Sequence, residues 1–235
     1  MTLKEVMTEL ESLGSEQTRK VLRKHGATDP FFGVKIGDMK NLRKALKGNQ
    51  VTALELYATG NSDAMYLAGL IADENKMTKT QFNQWVKQAP WSLIANTTVA
   101  SLAAESPHAI ALAGKWIDAR KELVASAGWC TLSHHLSIVG DEVGEKEWID
   151  GLVERVVEEI HGERNEVKAS MNGFLIALGC FCPSFTKAVR RAAKTIGAVD
   201  VDQGETSCKT PNIAAHIDKV EKAGRVGKTK KMARC

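Results

Sequence analysis

Three polar side chains, Asn165, Lys168 and Asn172, interrupt a stretch that otherwise reads as a buried helix, HGERNEVKASMNGFLIALG at residues 161–179. A polar group left unpartnered in such a helix costs about 1–3 kcal/mol. Asn and Lys can bond phosphate oxygens or base edges, so these residues, with Asn96, are candidates for a polar nucleic-acid surface. The competing reading is that Asn96 and Asn172 are buried and satisfied by neighbouring helices. A second candidate is the loop GETSCKTP at residues 204–211. Gly204 permits a tight turn whose backbone N–H groups could face an anion, and Lys209 beside Cys208 could favour the thiolate. Its competing reading is a cap on the last helical repeat, with Cys208 tucked into the core. A third is FGVKIGDMKNLRK at 32–44, where Lys35, Lys40, Arg43 and Lys44 form a basic rim for phosphates or else a solvated face.

His134, His135, Cys180, Cys182 and Cys208 are metal-ligand types, but their spacing is poor. Adjacent helical residues point about 100° apart, so neighbouring histidines rarely serve one ion. No metal and no cofactor is expected. The five tryptophans (Trp85, Trp91, Trp116, Trp129 and Trp148) could stack on bases, but at helical spacing four of them read as core; Trp91 is the exception. No phosphate-binding glycine motif and no nucleophile elbow occurs.

The elements that must position these groups are helical. Apolar residues recur with a 3.6-residue period nearly throughout. The spacing predicts helices over residues 3–25, 39–46, 51–59, 63–71, 79–88, 107–117, 121–139, 146–161 and 166–178, with a further one from Pro183 to residue 196. Pro90 marks a possible helix start. In residues 146–161, Trp148, Leu152, Val156 and Ile160 make one buried stripe, with Glu154, Arg155, Glu158 and Glu159 opposite. Residues 199–202 could pair briefly as a strand, too little for a sheet. Helix pairs return at roughly 35–45 residues, the spacing of HEAT-like arrays. The fold class expected is all-α, a HEAT-like solenoid whose second helices line a concave surface. Residues 1–221 would form the repeat domain and 222–235 a basic tail.

Charge is uneven. The net is +4, but residues 1–50 hold ten basic against six acidic groups and residues 51–160 hold eight against fifteen. Residues 222–235 hold six basic and none acidic. The tail reads as a solvated, frayed terminus or as a phosphate-binding arm. The acidic middle favours a basic protein partner instead. No apolar run reaches the ~18 residues of a membrane helix, and the start MTLKEVMTELESLG is an amphipathic acidic helix unlike a secretory signal. Five cysteines, an odd number mostly in apolar helical text, fit a reducing cytoplasm.

Five segments carry a resemblance: FFGVKIGDMKNLRK, ALELYATGNSDAMYLAGLIAD, ASAGWCTLS, RNEVKASMNGFLIALG and GAVDVDQGETSCKTPNIAAHIDK. Over residues 31–219 the chain resembles the DNA alkylation repair family, the HEAT-repeat DNA glycosylases and their relatives. The resemblance implies a C-shaped helical protein that holds DNA on its concave face, and in active members the removal of N3- or N7-alkylated purines without flipping the base. That chemistry needs a carboxylate near the sugar and aromatic faces beside the lesion. Active members carry Trp-x-x-x-Asp on the helix that begins here near Trp91. The resemblance aligns Ser92 with the tryptophan, Asn96 with the aspartate, a position near Ser126 with an arginine, and Asn172 with a second tryptophan. No catalytic residue is therefore carried over. The expected partner is duplex DNA, bound through Lys35, Lys40, Arg43, Lys44, Asn96, Lys168, Asn172 and Lys209. A HEAT-type protein scaffold is the alternative.

Overall fold

Several helix starts in the first half of this chain are written into their capping residues. The computed structural model describes residues 1–234. Helix α1 (Leu3–Leu13) opens with a capping box in which Thr2 and Glu5 each satisfy the other's backbone N–H. Ser15 caps α2 (Glu16–Lys24) and Asn49 caps α4 (Gln50–Ala58), which follows α3 (Lys40–Leu46). Asn61 caps α5 (Ser62–Ile71), and Thr78 with Gln81 repeats the capping box at α6 (Lys79–Gln88).

Residues 3–25 are two helices and not one. Gly14 breaks them because the chain turns against Phe32, whose carbonyl oxygen would lie 2.5 Å from any Cβ at that position. The Ser15 N–H then donates to the Gly33 carbonyl at 3.1 Å.

After α6 the chain enters a π-helical segment, Leu93–Val99, that runs into α7 (Ala100–Glu105). The expectation of a helix start near Pro90 holds, but periodicity gave no sign of the wider turn. Such bulges are frequent at functional sites. α5 packs against this segment so closely that a Cβ on Gly69 would overlap Thr98 Cγ2. Then come α8 (Ala109–Ile117), α9 (Glu122–Val139), α10 (Lys146–Glu159), α11 (Asn165–Phe181), α12 (Thr186–Ile196) and α13 (Ile213–Lys222).

The pairs α4/α5, α6/α7, α8/α9, α10/α11 and α12/α13 stack side by side as a HEAT-like solenoid. The second helices form an inner row in which α9 lies between α7 and α11. Their sides are buried by neighbours on both flanks, so they read as apolar almost all round. The core divides in two: one cluster around Tyr57, Phe82 and Trp116, another around Trp129, Phe174 and Leu178. Among the described residues there is no strand, and residues 199–202 join no ladder. No single helix is long and apolar enough to cross a membrane.

Residues 223–234 are not a solvated, frayed tail. After α13 it turns back along the C-terminal ends of the inner helices. The Gly227 N–H donates to the Cys180 carbonyl and the Lys230 N–H to the Ser137 carbonyl. Arg234 then reaches the carbonyls of Gly69 and Ala72 at the end of α5. These are the orphan acceptors that every helix leaves at its C-terminus. A basic strap is a suitable partner for them, because the macrodipole makes that edge negative. Cys235 lies outside the described residues.

Candidate nucleic-acid interface

The middle of the inner face is built from three elements. Asn96 comes from the π segment, Glu122 and Ser126 from α9, and Glu166 from the first turn of α11. Asn96 Nδ2 donates to Glu166 Oε2 at 3.3 Å. The Glu166 N–H donates to Glu122 Oε1 at 2.8 Å, and Ser126 Oγ donates to the Glu166 carbonyl at 3.1 Å. Asn96 Oδ1 is buried with no partner. Behind it the Asn96 carbonyl bonds His134 Nε2 at 3.2 Å.

Burial pushes the Glu166 carboxyl above its usual range, the Glu122 charge adds to this, and the Asn96 amide opposes it. Burial likewise raises the Cys130 thiol to about 12, helped by Glu166 and opposed by Ser126. It is therefore an inert thiol and no nucleophile. His134 is pushed toward its neutral form, chiefly by burial.

The other sequence candidates separate. Asn172 is 2% exposed and donates through Nδ2 to the Pro211 carbonyl at 3.0 Å. Asn165 exchanges two bonds with the Asp202 backbone, at 2.9 and 2.8 Å. Two of the three polar interruptions in α11 are thus anchors for residues 199–212, which lie across its inner face. Asn172 is buried beneath that loop, which takes its donor, while its Oδ1 is left without a partner. Lys168 is half-buried and Lys209 exposed.

The loop is not an anion nest. The Gly204 N–H is taken by Asp202 Oδ1 at 2.8 Å and the Cys208 N–H by Thr206 Oγ1 at 3.3 Å. Cys208 itself is exposed, so the loop caps the last repeat without burying its thiol.

Trp91 is 6% exposed, its indole N–H donating to Ser62 Oγ at 3.1 Å, so it belongs to the core with Trp85, Trp116 and Trp129. His134 and His135 bond different carbonyls, those of Asn96 and Ala104. Among the described residues no three potential ligands come together. Lys35, Lys40 and Lys44 are exposed around the start of α3, with Arg43 half-buried among them. They lie beside a loop fixed from outside: Asp63 accepts the N–H groups of Phe32, Gly33 and Val34 at 2.5, 3.0 and 3.0 Å.

Sequence reasoning missed Glu166, Lys24 and His25, and named Ser92 only as the position aligned with a tryptophan. These line a cavity of about 410 Å³ between the end of α2 and residues 201–206. Glu166 sits inside a quoted motif, but only the fold brings α2 opposite α11. The acidic surplus of residues 51–160 was legible, its location was not. Asp150, Glu154 and Glu158 lie on α10, in the outer row, beside Arg191 of α12.

An all-helical array of paired helices with a polar inner face defines the HEAT-like repeat class. Residues 6–191 match the family model described as DNA alkylation repair enzyme, and the chain belongs to that family. It is 33% identical to an uncharacterized protein of Listeria innocua, Lin0241, and 32% identical to one of Listeria monocytogenes, Lmo0209. Each match spans 225 residues, 93% of this chain and 97% of the relative. A solved structure superposes with a TM-score of 0.93 at 37% identity over 100% of both chains. It is described as representing a new family of proteins related to the HEAT-like repeat DNA glycosylases with affinity for branched DNA structures.

Proposed function

We propose that this protein binds DNA on the inner face of its helical array, with branched DNA as the preferred form, and does not excise alkylated bases. The likeness over the whole chain to a protein with affinity for branched DNA carries this reading. The charge layout supports it. Lys35, Lys40 and Lys44 project near the first repeat and Lys209 near the last, while the acidic side chains of α10 lie on the outer row. Phosphate contacts through such groups position a duplex arm without reading sequence.

The centre of the face argues against glycosylase chemistry. Where the resemblance expects an aspartate there is Asn96, a neutral amide spent on Glu166. The nearest carboxyl, Glu166, is biased toward protonation. A carboxyl whose charged form is disfavoured is a poorer stabiliser of an oxocarbenium-like sugar than an aspartate that ionises freely.

Titration of a labelled three-way junction and of a plain duplex, at two salt concentrations, tests the reading. Each lysine that neutralises a phosphate adds about one to the salt slope. The triple variant Lys35→Ala, Lys40→Ala, Lys44→Ala should therefore bind more weakly and with a shallower slope. Affinity that ignores salt, or that is the same in this variant, would overturn it.

A further inference from the structure

The cavity between α2 and residues 201–206 has a use that DNA-backbone binding leaves open. Its volume of about 410 Å³ lies within the range of small-ligand sites, about 300–1,000 Å³. Its lining divides by chemistry. The loop side is satisfied internally: Asp202 bonds Asn165 and Gly204, and Thr206 Oγ1 donates to the Gln203 carbonyl. The other side has unspent groups. Glu166 Oε2 receives only the long bond from Asn96, and its Oε1 receives none among the hydrogen bonds of the described residues. Ser92 Oγ, the Lys24 ammonium and the His25 ring are likewise without partners. Ala169 and Val201 supply apolar surface in the same cavity.

Ser92, at the position that the resemblance aligns with a tryptophan, lines the same cavity with a small side chain.

We propose that this cavity holds a single unpaired guanine nucleotide, with Glu166 reading the base and Lys24 and His25 meeting its phosphate. A carboxylate offers two acceptors side by side. Guanine presents two adjacent donors on its Watson–Crick edge, N1–H and the N2 amine. Adenine and cytosine each present one donor beside an acceptor that an ionised carboxylate repels, and thymine presents a single N–H between two carbonyls. Selection by hydrogen-bond pattern of this kind discriminates by about 1–3 kcal/mol per bidentate pair. Branched DNA supplies such a base where strands part, so the inference rests on the DNA-binding reading. A free mononucleotide is the other source of the same chemistry.

The test uses the full chain and three probes: guanosine monophosphate alone, a three-way junction with one unpaired guanine at the branch, and the same junction with adenine there. The guanine junction should bind about tenfold more tightly than the adenine junction. Glu166→Gln should remove that preference without weakening the adenine junction. Ser92→Trp should do the same by filling the cavity. Saturable binding of guanosine monophosphate, lost in both variants, would show a site that also takes the free nucleotide; preference for the guanine junction without it would confine the site to DNA. Equal affinity of the wild-type protein for the two junctions, with no binding of the monophosphate, overturns the pocket and leaves DNA binding intact. Failure to bind any junction at low salt overturns both readings.

Discussion

Arg234 and Glu105, 129 residues apart in sequence, form a buried ion pair in which each side chain is 9% exposed. The guanidinium meets Glu105 Oε2 through Nη2 at 2.6 Å and Nε at 2.7 Å, while Glu105 Oε1 accepts the backbone N–H groups of Ala233 and Arg234. Nη1 donates to two helix-end carbonyls and Nη2 to Glu74. One arginine thus ties the end of the chain to α5 and α7. Arg is suited to this because its fork carries five donors in one plane. Losing one partner leaves a buried charge uncompensated. Arg234→Met should therefore cost about 3–5 kcal/mol in denaturant unfolding. Arg234→Met combined with Glu105→Gln should recover part of it. Equal stability of the wild type and Arg234→Met would mean that the strap is not held.

Asp63 makes a second prediction. Its carboxylate collects three backbone N–H groups from residues 32–34 and is 5% exposed. Asp63→Ala would leave those donors without an acceptor, at about 1–3 kcal/mol for each that water cannot reach. The expected loss is at least about 2 kcal/mol by the same accounting, together with loosening of the Lys35 segment, visible as faster amide exchange at Gly33 and Val34. Unchanged exchange there would remove Asp63 as the organiser of the basic rim.

Asn96→Asp places a second carboxyl at the position that faces Glu166 Oε2 at 3.3 Å. Two carboxylates at that distance cannot both ionise cheaply. The variant should be less stable than wild type at pH 7 and approach it near pH 4, where the pair holds a proton. Restored base excision is not expected, because the new acid would share its proton with Glu166. A variant as stable as wild type at pH 7 would contradict the buried geometry.

His134 gives the protein an acid sensitivity of its own. Its neutral form is favoured in the fold, so its contribution is full above the unfolded imidazole value of about 6.5 and is lost as pH falls toward its lower folded value. Glu105 and Lys230 act on it with opposite sign, and the Asn96 carbonyl bond resists the shift. Glu166 runs the other way. With its folded value raised, its penalty is absent below the unfolded carboxyl value of about 4.3 and grows as pH rises. Glu166→Gln should therefore stabilise the protein at pH 7, and the gain should shrink as pH falls toward 4. His134→Gln should flatten the melting profile below pH 6.5. A pH-independent difference in either variant would rule out the linkage.

Most of the fold could be read from periodicity and caps. α4, α5 and α6 begin within a residue of their expected starts, because Asn49, Asn61 and Thr78 are strong N-caps. What could not be read depends on neighbours distant in sequence. Gly14 breaks a helix only because Phe32 lies against it. The π turn at Leu93–Val99 has no period of its own in so short a run. The basic tail looks like any solvated terminus until the negative helix ends it crosses are known. The polar interruptions of α11 were legible as requiring partners, but the partners of Asn165 and Asn172 are 37 and 39 residues away. The neighbour they conceal, Glu166, became a candidate only when α2 was placed opposite it.

The most direct test of the central claim is one experiment on one sample: affinity for a three-way junction and for a methylated duplex at low and moderate salt, with free base assayed in the same tubes. The account predicts junction binding that weakens as salt rises, weaker duplex binding, and no methylated purine released above background. Release of base, or no affinity for either DNA at low salt, would contradict it.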